Sequence, residues 1–288
     1  MSRRSFLRTC LGAACVSGCP SIVKAQAQLS SLPPLRMAVH PYNSTLALIT
    51  AHRPLQQYLE KALQRPIEFY TAASFEAFIG ALMAGEYDIV ISPPHFAVVA
   101  VENGDYAPLV HYQTKLEPLL VVRQDSSFGK PADFVGKRIA MADKSAFIRI
   151  VVIKWLADAG LVAGKHYQIL ERPTHSASIS ATAMGEADAG LATVTALKQV
   201  PPDVQQKMRA VTTGLKFPHL FTLAHRRLGE PMITRLKKAL TELTSDHPEG
   251  KAFFEKTGFV GYEDISADEL AAIKPYVGLT RQLMDSTR

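Results

Sequence analysis

Cysteine is scarce in this sequence and is confined to its start. The three cysteines are Cys10, Cys15 and Cys19, so residues 20–288 contain none. This absence excludes a disulfide framework, a thiolate nucleophile and a cysteine-ligated metal from that part of the chain. Also missing are the motifs of phosphate-binding loops, dinucleotide-binding turns, serine hydrolases and helical zinc-binding histidine pairs. We therefore predict that the chain is not an enzyme and that it holds neither a cofactor nor a metal ion.

A large surplus of positive charge is also absent once the first residues are set aside. The formal net charge is +6 at pH 7, and Arg3, Arg4, Arg8 and Lys24 supply four of these charges, which leaves +2 for the rest. The remaining charges are mixed in sign without a basic run, so binding to nucleic acid is not predicted. With 47% apolar residues over 288 positions, the chain is too apolar to be disordered and long enough for two domains with separate cores.

The first 27 residues have the pattern of an export signal. The positive start, Ser2-Arg3-Arg4-Ser5-Phe6-Leu7-Arg8, resembles the twin-arginine motif of bacterial export, and the apolar stretch Leu11–Val16 is too short to span a membrane. Ala25-Gln26-Ala27 is a suitable cleavage site, so we predict a soluble protein in the periplasm. An alternative is that Val16-Ser17-Gly18-Cys19 is a lipoprotein processing box, which would leave a lipid anchor on Cys19.

Strand and helix patterns alternate along the rest of the chain. Apolar spacing predicts strands over Leu35–His40, Ile67–Tyr70 and Asp88–Ile91, with helices over Ala47–Leu63 and Ala73–Met83 between them. Strands that alternate with helices at this spacing are typical of βαβ units with a parallel sheet. The predicted fold class is therefore α/β.

The sequence repeats one phrase, which indicates two similar halves. Leu82–Ala97 and Ala183–Thr195 both carry Met, then Gly-Glu-x-Asp, then small or apolar residues that end in a polar loop. Small ligands bind beyond the carboxyl ends of strands in such sheets, so we expect the two loops to face each other. We predict two lobes, each with a mainly parallel sheet flanked by helices. Lobe 1 comprises residues 28–120 and 213–288, and lobe 2 comprises residues 121–212. Two crossing segments join them.

Several short motifs, in their order and spacing, resemble one protein family. They are Phe75-Glu76-Ala77, Gly85-Glu86-Tyr87-Asp88, the loop with Pro93, Gly136-Lys137-Arg138-Ile139-Ala140, His175 and Gly185-Glu186-Ala187-Asp188-Ala189-Gly190. The family is that of the phosphonate, phosphite and phosphate binding proteins, the solute receptors of bacterial ABC importers. The resemblance covers nearly all of the chain after the signal, and it implies a two-lobed periplasmic binding protein fold with two hinge segments.

The same resemblance implies a function in solute capture. It indicates a protein that closes its lobes on a small anion, phosphonate-like or another oxyanion or organic acid, and delivers it to an ABC permease in the inner membrane. An alternative is that a membrane sensor kinase reads the closed form, and a third hypothesis is an enzyme on the same fold. Nothing in the sequence demands more than a monomer.

Three departures from the family pattern concern the ligand. Ser92-Pro93 is followed by His95 and Phe96, where family members commonly have Gly-Pro and a nearby Tyr. Ser145-Ala146-Phe147-Ile148-Arg149 replaces most of a run of hydroxyl residues, and Ser176 stands where an Asp often follows the His. These departures indicate a ligand other than phosphonate itself.

Ten residues at predicted strand ends and helix starts form the expected ligand site. They are Tyr42, Ser44, Ser92, His95, Phe96, Lys144, Ser145, His175, Ser176 and Thr193. Hydroxyl and imidazole donors beside free backbone N–H groups suit an anion, and the two aromatic rings are expected to form an apolar wall. The alternative interpretation is that Ser44, Ser145 and Ser176 are only helix caps, that the lysine is solvated, that His95 is a surface loop residue, and that Phe96 belongs to the core.

Overall fold

The computed structural model describes residues 33–285, in which strands and helices alternate. The first part contains β1 (Leu35–Val39), α1 (Thr45–Leu63), β2 (Ile67–Thr71), α2 (Phe75–Met83), β3 (Ile89–Ser92), α3 (Pro94–Glu102) and β4 (Tyr106–Tyr112). Each strand and helix predicted over residues 35–91 is present, with ends moved by no more than two residues.

The middle and the last parts of the chain continue this alternation. The middle part contains β5 (Pro118–Arg123), β6 (Arg138–Met141), α4 (Phe147–Asp158), β7 (Gln168–Glu171), α5 (His175–Ala183), β8 (Ala189–Thr193), α6 (Val194–Gln199), α7 (Pro202–Gln205) and β9 (Met208–Thr212). The last part contains β10 (Phe221–His225), α8 (Glu230–Glu242), α9 (Pro248–Thr257), β11 (Tyr262–Glu263) and α10 (Ala267–Asp285). Short 3-10 helices cover Pro131–Phe134 and Arg226–Leu228.

The strands form two separate sheets, which confirms the two-lobed α/β prediction. The order of the first sheet is β11-β4-β10-β3-β1-β2, and that of the second is β7-β6-β8-β5-β9. Only β1, β2 and β3 in the first sheet and β6, β7 and β8 in the second pair in parallel. The sheets are therefore mixed rather than mainly parallel. The strands that follow the two crossings, β5 and β10, run antiparallel to their neighbours, and β11 runs antiparallel to β4.

Two segments, residues 113–117 and 213–220, connect the sheets, and they lie side by side. The Leu116 N–H donates to the Phe217 carbonyl at 2.8 Å, and the Phe217 N–H donates to the Leu116 carbonyl at 3.0 Å. Residue 120, the predicted end of the first part of lobe 1, falls inside β5, which pairs with β8 and β9 of the second sheet. The first crossing therefore ends before Pro118.

Helix α1 illustrates how the sequence fixes an element against the first sheet. Ser44 caps the helix by accepting a hydrogen bond from the Ala47 N–H. Leu48, Leu55 and Leu59 lie at helical spacing and are buried. Since burying one leucine contributes about 1.5–3 kcal/mol, this apolar face determines how α1 packs.

Helix α10 contacts parts of both lobes. It packs on α3 of the first lobe. The ring of Tyr276 lies 5.1 Å from that of Phe147 in α4 and 5.6 Å from that of Phe217 in the second crossing. The end of the chain therefore covers the side of the hinge.

None of the helices within residues 33–285 combines the length and the apolarity needed to cross a membrane. The predicted export signal over residues 1–27 and the alternative lipid attachment at Cys19 lie outside the described residues.

Candidate functional site

A cavity lies between the two sheets, and its free space of about 490 Å³ includes a part that is open to solvent. The first lobe lines it with His40 and Phe75, the second lobe with Phe147 and His175, and the first crossing with Leu116. These residues follow strand ends or begin helices, the positions at which α/β sheets bind small molecules. The cavity is therefore the candidate ligand site.

Four helices of at least nine residues begin at the wall of this cavity. Helices α2, α3, α4 and α5 start with Phe75, Pro94, Phe147 and His175, which all line it. Helix α4 has no side-chain cap, and within the described chain the N–H groups of Phe147 and Ile148 have no hydrogen-bond partner. Because the start of a helix carries partial positive charge, this arrangement attracts a negatively charged group.

Three histidines line the cavity and are almost completely buried. His40, His175 and His219 expose 5%, 7% and 5% of their surface. Nδ1 of His40 and Nδ1 of His175 have no hydrogen-bond partner among the described residues. Nδ1 of His219 accepts a hydrogen bond from the Leu220 N–H at 2.9 Å. The proton of neutral His219 is therefore assigned to Nε2, which lies 3.5 Å from Thr195 Oγ1.

Burial keeps these histidines uncharged at neutral pH. The pKa of His175 falls to about 4 and that of His219 to about 3, because removal from water disfavours the imidazolium. The pKa of His40 lies well below 6.5, because burial and the neighbouring histidines both oppose a positive charge. Each ring therefore has one N–H group and one lone pair, but no positive charge.

The rest of the cavity wall is largely apolar and aromatic. The rings of Tyr42 and Phe75 lie 5.0 Å and 5.7 Å from that of His40, and the ring of Phe259 lies 4.8 Å from that of His219. No charged side chain occurs among the described residues that line the cavity. This wall suits a ligand with an apolar part better than a bare inorganic anion.

The ten residues predicted for the ligand site separate into two groups. Three of them, Tyr42, His175 and Thr193, line the cavity. The other seven lie outside its lining: Ser44, Ser92, His95, Phe96, Lys144, Ser145 and Ser176.

The four predicted serines use their hydroxyl groups within the protein. Ser44 caps α1, Ser92 donates to the next carbonyl along the chain at 3.2 Å, and Ser145 donates to Asp143. Ser176 donates at 3.2 Å to a side chain of the first lobe. Short polar side chains commonly form such local bonds, and these hydroxyls are not brought to the cavity.

His95 and Phe96 are core residues rather than cavity residues. His95 is fully buried, and its Nε2 lies 2.9 Å from the Ser145 carbonyl of the second lobe, to which it donates. Its ring lies 4.0 Å from that of Phe96 and 5.1 Å from that of Phe147. Burial lowers the pKa of His95 to about 3. His95 therefore holds the start of α4 against the first lobe instead of lining the cavity.

Lys144 lies on a different surface. It is exposed and lines a second cleft, with an empty volume of about 1190 Å³, together with Ser145, Glu76 of α2 and residues near the end of α10. The loop after β6 turns these two side chains away from the cavity, while Phe147 at the start of α4 faces it. Lys144 therefore does not line the candidate cavity.

Sequence reasoning missed His40, His219 and Phe147 as cavity residues. His40 is the last residue of the first predicted strand, so the strand-end rule that selected His95 applies to it equally. Phe147 lies in a motif where the family resemblance points to hydroxyl residues, so its aromatic ring does not mark it as a ligand residue. His219 lies in the second crossing, and no motif of the sequence marks it.

Polar contacts join the two lobes beside the cavity. Asn43 follows β1; its Nδ2 donates to Gln199 Oε1 of α6 at 3.3 Å, and its Oδ1 accepts from the Ser176 hydroxyl at 3.2 Å. Gln199 Nε2 in turn donates to the Thr257 carbonyl of α9 at 2.5 Å. These bonds form only when the lobes are close together, so the structure is a closed form.

Known structures share this architecture at low sequence identity. PhnD1 from Prochlorococcus marinus in complex with methylphosphonate is similar with a TM-score of 0.76 at 15% identity, over 86% of this chain and 97% of that chain. A binding protein component of an ABC phosphonate transporter from Pseudomonas aeruginosa has a TM-score of 0.74 at 14% identity, over 88% of both chains. The periplasmic aliphatic sulphonate binding protein SsuA from Escherichia coli has a TM-score of 0.59 at 17% identity, over 88% and 93%.

A match to a family profile assigns the chain to a protein family, which structural similarity at such low sequence identity does not do. The profile described as "ABC transporter, phosphonate, periplasmic substrate-binding protein" matches residues 37–270, which is most of the chain and includes strands of both sheets. This protein therefore belongs to the family of periplasmic substrate-binding proteins of phosphonate ABC transporters.

Proposed function

We propose that this protein captures a small anion with an organic body in the cavity between its lobes and presents the closed form to an ABC permease in the inner membrane. Membership of a substrate-binding family supports capture rather than catalysis, so we infer that the protein is not an enzyme. We propose that it acts as a monomer.

The observation that carries this proposal is that neither lobe forms the cavity alone. His40 and Phe75 come from the first lobe and Phe147 and His175 from the second, with the paired crossing segments between them. A ligand that touches both lobes binds the closed state more tightly than the open state, and this difference in affinity drives closure. Micromolar binding requires about 8 kcal/mol to remain after the cost of closure is met.

We propose that the protein reaches the periplasm through its twin-arginine signal and is cleaved near Ala27. The motif Ser2–Arg8 and the periplasmic location of the family support this route. Mass spectrometry of the exported protein tests it. A mass that begins at residue 28 is expected, and a diacylated Cys19 at the new terminus would contradict release as a soluble protein.

The direct test of capture combines native mass spectrometry with small-angle X-ray scattering. Protein purified without added ligand is expected to retain a small molecule, because residues of both lobes line the cavity in this closed form. After removal of that molecule by partial unfolding and refolding, the radius of gyration is expected to increase, and it is expected to decrease again when the molecule is restored. If no small anion changes either the radius of gyration or the unfolding temperature, the proposal fails.

A second test separates import from sensing. With the permease and its ATPase in vesicles, the closed protein is expected to raise ATP hydrolysis in a ligand-dependent manner. Ligand-dependent activity of a membrane kinase, with no effect on ATP hydrolysis, would instead assign the protein to the sensor role.

A further inference from the structure

The cavity has no full positive charge with which to balance an anion. Its described lining lacks Lys and Arg, although two such residues lie nearby in sequence. Arg149 of α4 points the other way, where its Nη2 donates to Glu171 at 2.7 Å. Lys144 lines the separate second cleft. Any compensation for a bound anion must therefore come from neutral donors and helix starts.

The hydroxyl groups of the cavity are already partly engaged. Thr193 Oγ1 accepts from the Ala196 N–H at 3.0 Å and lies 2.9 Å from Thr195 Oγ1. Thr195 Oγ1 also lies 3.5 Å from Nε2 of His219. One hydroxyl proton is used in the bond between the two threonines, and His219 donates to Thr195, so this pair leaves one O–H group for a ligand. A highly charged oxyanion needs more donors than that.

Two of the four helix starts at the cavity contribute little attraction for an anion. Helix α3 begins at Pro93-Pro94, and neither proline has an N–H group to donate. Helix α2 has Glu76 in its first turn, which offsets its partial charge.

The other two helix starts, α4 and α5, both belong to the second lobe. Neither has an acidic residue in its first turn. Each carries roughly half a unit of positive charge, so together they balance about one negative charge. His175, which begins α5, adds a buried Nδ1 without a partner.

Apart from His40, Tyr42 and His219, which carry no charge, the first lobe and the crossings face these helix starts with an apolar wall. Phe75, Leu220 and Phe259 of this wall line the cavity, together with Leu116 of the first crossing. A charged group of the ligand therefore fits at the second lobe, while its body packs against the first. This division sets both the charge and the shape of the ligand.

We propose that the cavity binds a compact organic monoanion, with one carboxylate or sulfonate group on an aromatic or branched apolar body, and that it rejects dianions of the same shape. The inference rests on the proposed function and narrows its ligand class. A second charge in this site would lose part of its hydration and would find no positively charged side chain in the described lining, which is unfavourable.

Two ligands that differ only in the charge of the head group test this proposal. Benzenesulfonate is a monoanion at all accessible pH values, whereas phenylphosphonate is mainly a dianion at pH 8 and takes up a proton as the pH falls towards 6. By calorimetry at pH 8, benzenesulfonate is expected to bind at least about tenfold more tightly, the ratio that a modest difference in desolvation produces. From pH 8 to pH 6, the affinity for phenylphosphonate is expected to rise while that for benzenesulfonate stays constant, because the cavity histidines remain neutral over this range.

The possible outcomes separate this inference from the proposed function. If phenylphosphonate binds as tightly as benzenesulfonate at pH 8, the monoanion proposal is overturned, while capture of a small anion still stands. If benzoate, benzenesulfonate, phenylphosphonate and inorganic phosphate all fail to bind, both proposals fail. Stabilisation by Zn²⁺ alone would make the histidines metal ligands and would also overturn both.

A variant with a new positive charge provides a matched control on the protein side. Thr195→Lys places an ammonium group at the cavity wall and is expected to shift the preference towards phenylphosphonate at pH 8. Thr195→Met adds a side chain of similar length without charge and is expected to keep the preference for the monoanion. Unfolding temperatures identify a variant that does not fold, and the comparison of the two ligands on the unaltered protein remains decisive in that case.

Discussion

Buried histidines make this protein sensitive to acid, and His52 in α1 provides the cleanest test. His52 is fully buried away from the cavity; its ring is stacked on Phe69 at 5.4 Å and meets Phe253 edge-on at 5.6 Å. Its Nδ1 donates to the Leu48 carbonyl at 2.9 Å, and within the described chain its Nε2 has no partner. Burial lowers its pKa from 6.5 to about 4.

The direction and size of the effect follow from proton binding. Below pH 6.5 the unfolded chain binds a proton at this position while the folded chain does not, so the free energy of unfolding falls as the pH falls towards 4. At pH 5 the loss due to His52 is about 2 kcal/mol relative to pH 7. The contribution becomes constant above about pH 8, where His52 is neutral in both states.

Urea unfolding of His52→Leu at several pH values measures this contribution. The variant is expected to lose about 2 kcal/mol less stability than the parent protein between pH 7 and pH 5, because it has no imidazole to protonate. Leu55→Ala, on the same helix, lowers stability without altering proton binding, so its difference from the parent is expected to be the same at both pH values. Identical pH dependence of the parent and His52→Leu would refute the reasoning.

Three further changes test the cavity, the contacts between the lobes and the packing of the second lobe. His175→Ala removes a cavity donor and is expected to weaken binding of benzenesulfonate by roughly tenfold in calorimetry, the effect of about one lost hydrogen bond to a charged group. Asn43→Ala removes two hydrogen bonds between the lobes, so scattering is expected to report a larger radius of gyration and calorimetry a weaker affinity. Gly190→Ala places a Cβ atom 2.6 Å from a backbone carbonyl of α5 and is expected to reduce the unfolding free energy by about 1–3 kcal/mol in urea.

Each of these changes has a matched control. His166→Ala removes a histidine from a loop outside the cavity and should leave affinity unchanged, and Asn103→Ala removes an asparagine at the end of α3 that bonds within the first lobe. Gly80→Ala lies within α2, where a Cβ atom meets nothing within 4 Å, so it should raise stability slightly. An effect of His166→Ala equal to that of His175→Ala would contradict the assignment of the cavity, and an unchanged radius for Asn43→Ala would contradict the role of its bonds in closure.

The alternation of elements could be predicted from local sequence, whereas the direction of several strands could not. Helix α1 could be predicted because Leu48, Leu55 and Leu59 recur at helical spacing after a serine that can cap the helix. β10 pairs with β3 in the antiparallel direction after the chain has returned from the second lobe. No local sequence pattern predicts this pairing. Local periodicity thus predicts elements well and their pairing less well.

Three of the cavity residues, Tyr42, His175 and Thr193, could be predicted because each lies in a loop or at a helix start directly after a strand. His175 directly begins α5, so its place at the cavity follows from the order of strand and helix. The four predicted serines do not line the cavity, and the sequence does not tell whether a hydroxyl caps its own helix or faces a ligand. His219 reaches the cavity from the second crossing, and contact between segments so far apart in sequence has no local signal.

The paired crossings make the second lobe an insertion into the first. Both ends of the described chain belong to the first sheet and its helices, and the inserted half enters and leaves through Leu116 and Phe217, which are directly hydrogen-bonded. Because the two connections to the second lobe lie side by side, that lobe can be exchanged between relatives without altering the chain of the first lobe. Since the attractive helix starts of the cavity, α4 and α5, both lie in the inserted unit, its replacement offers a direct route to changing the charge of the ligand while keeping the apolar wall.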